Sequence, residues 1–381
     1  MKTIKQFPTL YSVDSKGTRV KCWTVAVHQA EDGTASLVRT HGFIGKKITT
    51  SEKAITKGKN IGRSNETTPI SQALADATSM QQKQLDKGHT LEFPDLSTYA
   101  PPEFPMLAQK FTERKHYIEY PCYVQPKFDG VRCFAKKISE TEVTYASRRN
   151  KKYKTLEHLT LYFLEMLNVG DIVDGEVYIH DVTFQGIIRR VKKLRPESIE
   201  LKFHAYDIIR THNPNMPYSE RCEDLSDMLD ELYCNHHSYC ETITNCPTYR
   251  VENEQDIYQY HDKFVKKGFE GVIIRNSDGL YKFNARSNDL QKYKEFIDEE
   301  FKIVGAIETD DGNHRGCIKF ICETKQGLEF TSYPKGTLDK RRRMFNEKDK
   351  YIGKMLTVRY QQLSEEGVPI FNVGIAVRDY E

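Results

Sequence analysis

At 381 residues the chain is too long for one hydrophobic core, so two or three domains are expected. Its 38% hydrophobic and 29% charged content describes an ordinary soluble protein, and apolar runs such as Val272-Ile273-Ile274 are far too short to cross a bilayer. The net charge of +3 is uneven: residues 1–87 hold 14 Lys and Arg against 7 Asp and Glu, a net +7, which leaves −4 for the rest. A basic front module suits a phosphate-backbone binder, and a merely solubilising surface would look the same. Met1-Lys2-Thr3-Ile4-Lys5-Gln6-Phe7-Pro8 lacks the apolar stretch of a secretory signal, so an intracellular protein, in cytoplasm or nucleus, is expected. The nine cysteines are scattered. Cys234, Cys240 and Cys246 lie near His236 and His237, but without a Cys-x-x-Cys pair the spacing fits no common zinc site, and free thiols are the preferred reading.

In chain order, residues 19–27 and 35–40 alternate as two strands across Glu31-Asp32-Gly33. A helix follows Pro69, with Ile70, Ala73, Leu74, Ala77 and Met80 forming its apolar stripe. Pro94, Pro101, Pro102 and Pro105 mark a boundary, giving a small β-rich basic domain over residues 1–88. Short strands dominate residues 104–296, with helical stretches at 156–167 and 221–232. Beyond a second boundary near 296–300, strands at 301–307, 316–324, 328–332, 354–360 and 371–376, with Gly312, Gly316 and Gly327 at turns, predict a small oligonucleotide-binding (OB) barrel over 297–381. The fold class is α+β and multi-domain.

The chemistry concentrates in Lys127-Phe128-Asp129-Gly130-Val131-Arg132. Lys127, Asp129, Gly130 and Arg132 would coincide by chance in roughly two of a thousand chains this long. A lysine is nucleophilic only as the neutral amine, Gly130 lets backbone approach a nucleotide, and Arg132 offers a planar fork for phosphate or ribose oxygens. An exposed Asp129-Gly130 hairpin turn with a solvated lysine is the plainer alternative.

Read in order, the region resembles the covalent nucleotidyltransferases: ATP-dependent DNA ligases, RNA ligases and mRNA capping enzymes. After the lysine motif come Ser147-Arg148-Arg149-Asn150-Lys151, Asp174-Gly175-Glu176-Val177-Tyr178, Phe203-His204-Ala205-Tyr206-Asp207, Glu270-Gly271-Val272-Ile273-Ile274-Arg275 and Leu290-Gln291-Lys292-Tyr293-Lys294. Pro105-Met106-Leu107-Ala108 resembles the ligase segment that opens the nucleotide pocket. The resemblance implies that Lys127 accepts AMP from ATP and that Arg148 meets the substrate 5′-phosphate. It implies Glu176 on the ribose, Tyr206 stacked on adenine, Glu270 and Glu176 near Mg2+, and Lys292 and Lys294 on the α-phosphate. Many family members have Glu where this chain has Gln125; Gln can still accept a hydrogen bond from an adenine amino group. Phe371-Asn372-Val373-Gly374-Ile375-Ala376-Val377-Arg378-Asp379-Tyr380-Glu381 resembles the last motif, with Arg378 as pyrophosphate contact and Glu381 where Lys is frequent.

The tail resembles the ligase barrel, which implies a DNA ligase acting on nicked duplex DNA in repair, replication or recombination, and residues 1–88 resemble the leading segment of some viral and phage ligases. RNA ligase and capping guanylyltransferase are the alternatives, and a non-catalytic DNA-binding scaffold is a third that the intact motif residues disfavour. Lys340-Arg341-Arg342-Arg343 would suit phosphate contacts or one solvated helix face. Residues 1–88 resemble the WGR-type domain in part, through Trp23, Arg39-Thr40-His41-Gly42-Phe43-Ile44-Gly45 and Gly58-Lys59-Asn60-Ile61-Gly62, which implies duplex-end or nick binding, with a replication or repair protein as the other partner class. A monomer is expected.

Overall fold

The computed structural model describes residues 1–14, 17–99, 103–236, 241–309, 314–364 and 366–378. His237, Cys240, Gly312 and residues 379–381 lie outside them. The chain forms two compact units, Met1–Tyr293 and Lys294–Glu381, where three domains were expected. Residues 1–88 and the strand-rich region after them both fall in the first unit, around separate cores.

The first core lies under a five-stranded antiparallel sheet of β1 (Lys2–Gln6), β2 (Leu10–Val13), β3 (Val20–Gln29), β4 (Ala35–Phe43) and β5 (Ile48–Ile55). The expected alternation holds: Trp23, Val25, Val27 and Leu37 point to one face and meet Ala73 and Ala77 of helix α1 (Pro69–Leu85). Thr68 caps α1 by accepting from the Ser71 N–H, and Pro69 occupies the first turn, where no amide donor is needed.

Next come β6 (Leu107–Lys110), α2 (Phe111–Arg114), β7 (Cys122–Lys127), β8 (Val131–Ser139), β9 (Glu142–Ser147), α3 (Thr160–Met166), β10 (Ile172–Tyr178), α4 (Phe184–Lys192), β11 (Lys202–Ile209) and α5 (Tyr218–Asn235). They are followed by β12 (Ile243–Asn245), β13 (Tyr249–Val251), α6 (Glu254–Lys266), β14 (Gly271–Asn276) and β15 (Arg286–Tyr293). Helices α4 and α6 interrupt a region read as mainly strands; α6 buries Ile257, His261 and Phe264 at helical spacing after the cap Asn253. The strands make two five-stranded sheets, ordered β13-β7-β14-β15-β6 and β12-β11-β10-β8-β9. Strands β7 and β8 belong to different sheets, so the segment between them is a crossover. The hairpin alternative for Asp129-Gly130 is thereby overturned.

Two devices relate these sheets. In the β10–β11 ladder Asp174 pairs with Asp207 but Gly175 pairs with Ala205, so Tyr206 is an extra, bulged residue. A bulge re-aims a side chain, and here a Cβ on Gly175 would come within 2.2 Å of the Phe203 ring. The second is a buried charge cluster. Asp207, fully buried, receives Arg221 of α5 (Nε–Oδ1 2.7 Å) and Arg275 of β14 (Nη1–Oδ2 2.6 Å). Arg275 Nε also donates to Gln125 Oε1 on β7 at 2.9 Å, and Gln125 Nε2 donates to Thr248 Oγ1 at 2.9 Å.

The second unit contains β16 (Ile297–Thr309), β17 (Cys317–Glu323), β18 (Glu329–Ser332), α7 (Leu338–Asn346), β19 (Met355–Tyr360), the short pair β20 (Gln362–Leu363) and β21 (Pro369–Ile370), and β22 (Val373–Arg378). Its sheet runs β18-β17-β16-β19-β22. Gly374 donates to Tyr333 O (2.8 Å) and accepts from Lys335 N (2.7 Å), which joins the chain just after β18 to β22 and closes the barrel. All five expected strands are present. The basic run on α7 is not one solvated face: Arg341 is buried, and Arg342 bonds Arg315 O and Asp339.

Replacing Asp207 by Asn leaves two buried guanidinium groups without a counter-charge. It is expected to destabilise the protein by about 3–5 kcal/mol, read as a lower chemical-denaturation midpoint; a change below about 1 kcal/mol would contradict the clamp.

Candidate active site

Strand β7 pairs antiparallel with β14, setting Gly271 opposite Lys127 and Ile273 opposite Gln125, while Lys292 on β15 lies opposite Ile273. The Glu270 N–H donates to Lys127 O at 2.9 Å, so the residue before the ladder turns its carboxylate onto the lysine. The Lys127 ammonium contacts Glu270 Oε2, and both side chains are largely buried. Phe128 anchors the crossover by stacking on His204 (4.7 Å) and meeting Phe269 edge-on (5.4 Å). Burial depresses the His204 imidazolium to about 4, so the ring is neutral and packs as an aromatic.

Gly130 has a different reason from the one its motif suggests. A Cβ there would lie 2.6 Å from Val177 O and 2.8 Å from Glu176 Cγ, so the approach of β10 by itself requires the glycine, which also lines the cavity. Opposite, Glu176 pairs in register with Arg132. Burial raises the Glu176 carboxyl to about 8 against the opposing pull of Lys127 and Arg132. The fork of Arg132 is not open: Nε and Nη2 bind Asp174 at 2.9 and 2.5 Å, and Nη1 binds Met106 O at 2.7 Å. Tyr281 also donates to Asp174 (2.7 Å), so Arg132 ties the 105–108 segment to the sheet. Gln125 is similarly engaged. Because Arg275 can only donate, the Gln125 oxygen faces it, and the amide nitrogen points to Tyr206 O and Thr248.

Lys127, Gln125, Arg132, Arg148, Glu176, Tyr206 and Lys292 all line one cavity of about 910 Å³. Glu270 reaches it through its contact with Lys127. The bulged Tyr206 has the Arg132 and Arg275 guanidinium carbons 5.8 and 5.5 Å from its ring centre, and burial raises its phenol, which stays neutral. Arg148 stands on a turn in which Ser147 Oγ accepts from the Lys151 N–H (2.9 Å) and Asn150 adopts φ 58°. Two expected residues belong to the second unit: Lys294 contacts Gln361, and Arg378 Nε binds Thr357 Oγ1 at 2.8 Å and lies 3.3 Å from Glu300.

Sequence reasoning gave no role to Asp174, Asp207 or Arg275, although all three lie inside quoted motifs. It also passed over Lys83, Phe184 and Arg286 on the cavity wall. For Arg286 and Lys83 no local signal existed, since each reaches the cavity from a distant part of the chain.

Among the described residues no group of three or more His, Cys, Asp or Glu could hold a metal. Glu176 and Glu270 still fit a cation shared with phosphates, because Mg2+ commonly takes one or two carboxylates and completes its shell with phosphate and water.

Two family models match this chain: the ATP dependent DNA ligase domain over residues 105–294 and the DNA ligase OB-like domain over residues 311–378. A DNA ligase of African swine fever virus (isolate Warthog/Namibia/Wart80/1980) is 28% identical over 345 residues, covering 85% of this chain and 79% of that protein. The DNA ligase of Enterobacteria phage T4 is 26% identical over 319 residues, covering 67% of this chain and 63% of its own. Among solved structures, Pmar-Lig_PreS3 shares the fold at a TM-score of 0.62 and 21% identity, covering 74% of this chain and 69% of that one. With the barrel closed, the two-sheet body in place and both ligase models matched in order, the chain belongs to the ATP-dependent DNA ligases.

Proposed function

We propose that this ATP-dependent ligase seals nicks in duplex DNA through AMP carried on Lys127 Nζ. The observation that carries the reading is the end of β7, where Lys127 meets Glu270 in the cavity that Glu176, Tyr206 and Lys292 also line. An ion pair favours the charged lysine, so the reaction requires loss of its proton, and Glu270 is in contact to receive it. The neutral Nζ then bonds to the α-phosphorus of ATP while the bond to pyrophosphate breaks. Lys292 compensates charge on the α-phosphate, and Tyr206 stacks on the adenine. Glu176 and Glu270 would hold Mg2+, which supplies charge neutralisation for the phosphates. AMP passes from Lys127 to a 5′-phosphate held by Arg148. The adjacent 3′-hydroxyl attacks that phosphate and AMP leaves. Lys294 and Arg378 serve the α-phosphate and the departing pyrophosphate in this reading. The 1–88, 104–296 and 297–381 parts act as a WGR-like nick-binding module, a nucleotidyltransferase and an OB-fold, in a monomeric intracellular enzyme.

With α-labelled ATP and magnesium, the wild-type protein should acquire label that Lys127→Ala lacks. A labelled Lys127→Ala protein would place the AMP elsewhere. The enzyme should join a singly nicked DNA duplex in preference to nicked RNA; sealing of RNA alone would reassign it to RNA ends. Removing residues 1–88 is expected to weaken nick binding more than it slows Lys127 labelling, in a gel-shift and labelling comparison. Unchanged nick affinity would instead favour a protein partner for that part.

A further inference from the structure

The cavity holds more positive charge than a nucleotide's α-phosphate calls for. Arg132 and Arg275 on its wall are answered by Asp174 and Asp207, and Lys127 by Glu270. Among the described residues Arg148, Arg149, Lys151 and Arg286 make no ion pair, and burial together with neighbouring arginines lowers the pKa of the Arg148 guanidinium. These come from the turn after β9 and the start of β15.

One more unpaired cation comes from outside this body. Lys83, in the last turn of α1, is exposed, makes no ion pair among the described residues and lines the same cavity, as does Asp86. Beside Lys83, the part of the helix end that lines the cavity is negative. Its final carbonyls carry the negative pole of α1, and Asp86 adds a carboxylate that accepts from Gln82 Nε2 at 2.8 Å. Without Lys83 this rim would repel a phosphate; with it the two negative features are compensated at the cavity mouth.

We propose that Lys83 binds a phosphate group of the substrate, so that the front module contributes directly to the reaction site. The inference rests on the proposed nick-sealing reading. Two substrates carry the required group: the β- and γ-phosphates of ATP, and the strand phosphates of the nicked DNA. Lys83 acts on both sign and distance of charge, so Gln at this position should convert the rim from neutral to repulsive.

The test uses the full-length protein with Lys83→Gln, Lys83→Arg and, as control, Lys87→Gln, a neighbouring exposed lysine away from the cavity. One arm measures Lys127 labelling against ATP concentration. The other measures sealing of a nick already carrying a 5′-adenylate across a series of salt concentrations. Lys83→Gln is expected to lower kcat/KM about three- to tenfold through KM in one arm, with Lys83→Arg near wild type. A loss in the first arm assigns the phosphate to ATP. A loss in the second, with a salt dependence shallower by about one unit of log–log slope, assigns it to DNA. Rates within about twofold of wild type in both arms, or an equal loss in Lys87→Gln, would overturn the proposal. Failure of the wild-type protein itself to label or seal would instead refute the underlying nick-sealing reading.

Discussion

The site depends on the carboxylate of Asp207 and the two guanidinium groups that close on it. Burial alone would raise this carboxyl, but Arg221 and Arg275 outweigh it and hold it below the ordinary range, so it stays ionised. Taking three charges out of water is costly, and only short, well-directed contacts offset the cost. Here they do so while linking α5, β11 and β14. Because Arg275 continues to Gln125 on β7, the cluster sets one sheet against the other at the place where Lys127 and Tyr206 must meet.

This organisation divides the motif residues into those that face the cavity and those that hold them there. Lys127, Glu176, Tyr206, Arg148 and Lys292 face it. Asp174, Asp207, Arg275 and most of Arg132 are consumed by protein partners, so a residue repeated in a motif need not touch substrate. Gly130 and Gly175 each mark a point where the chain passes too close to a neighbouring strand for a Cβ, and Gly130 also lines the cavity. The bulge at Tyr206 is the geometric counterpart of Gly175, since the strand that loses register there is the one whose aromatic is turned outward.

Much of this was legible from order and pattern. The helical stripe of α1, the five barrel strands and the sequence of motifs around Lys127 are local or collinear signals, and a periodicity of 2 or 3.6 reads them directly. Helix α4 has only nine residues, while α6, with 13, was missed although the cap Asn253 and apolar positions at helical spacing are local signals.

What the sequence by itself determined was the chemical inventory: a lysine, carboxylates, further cations and an aromatic, in an order that names their family. Tertiary structure alone decided which of them are available. Arg132 and Asp174 are 42 residues apart, and Gln125 and Arg275 are 150 apart. Lys83 reaches the cavity from helix α1, which packs on a different sheet. Such pairings depend on strand register and on the crossing of two sheets, and neither leaves a local period in the chain from which it could be read.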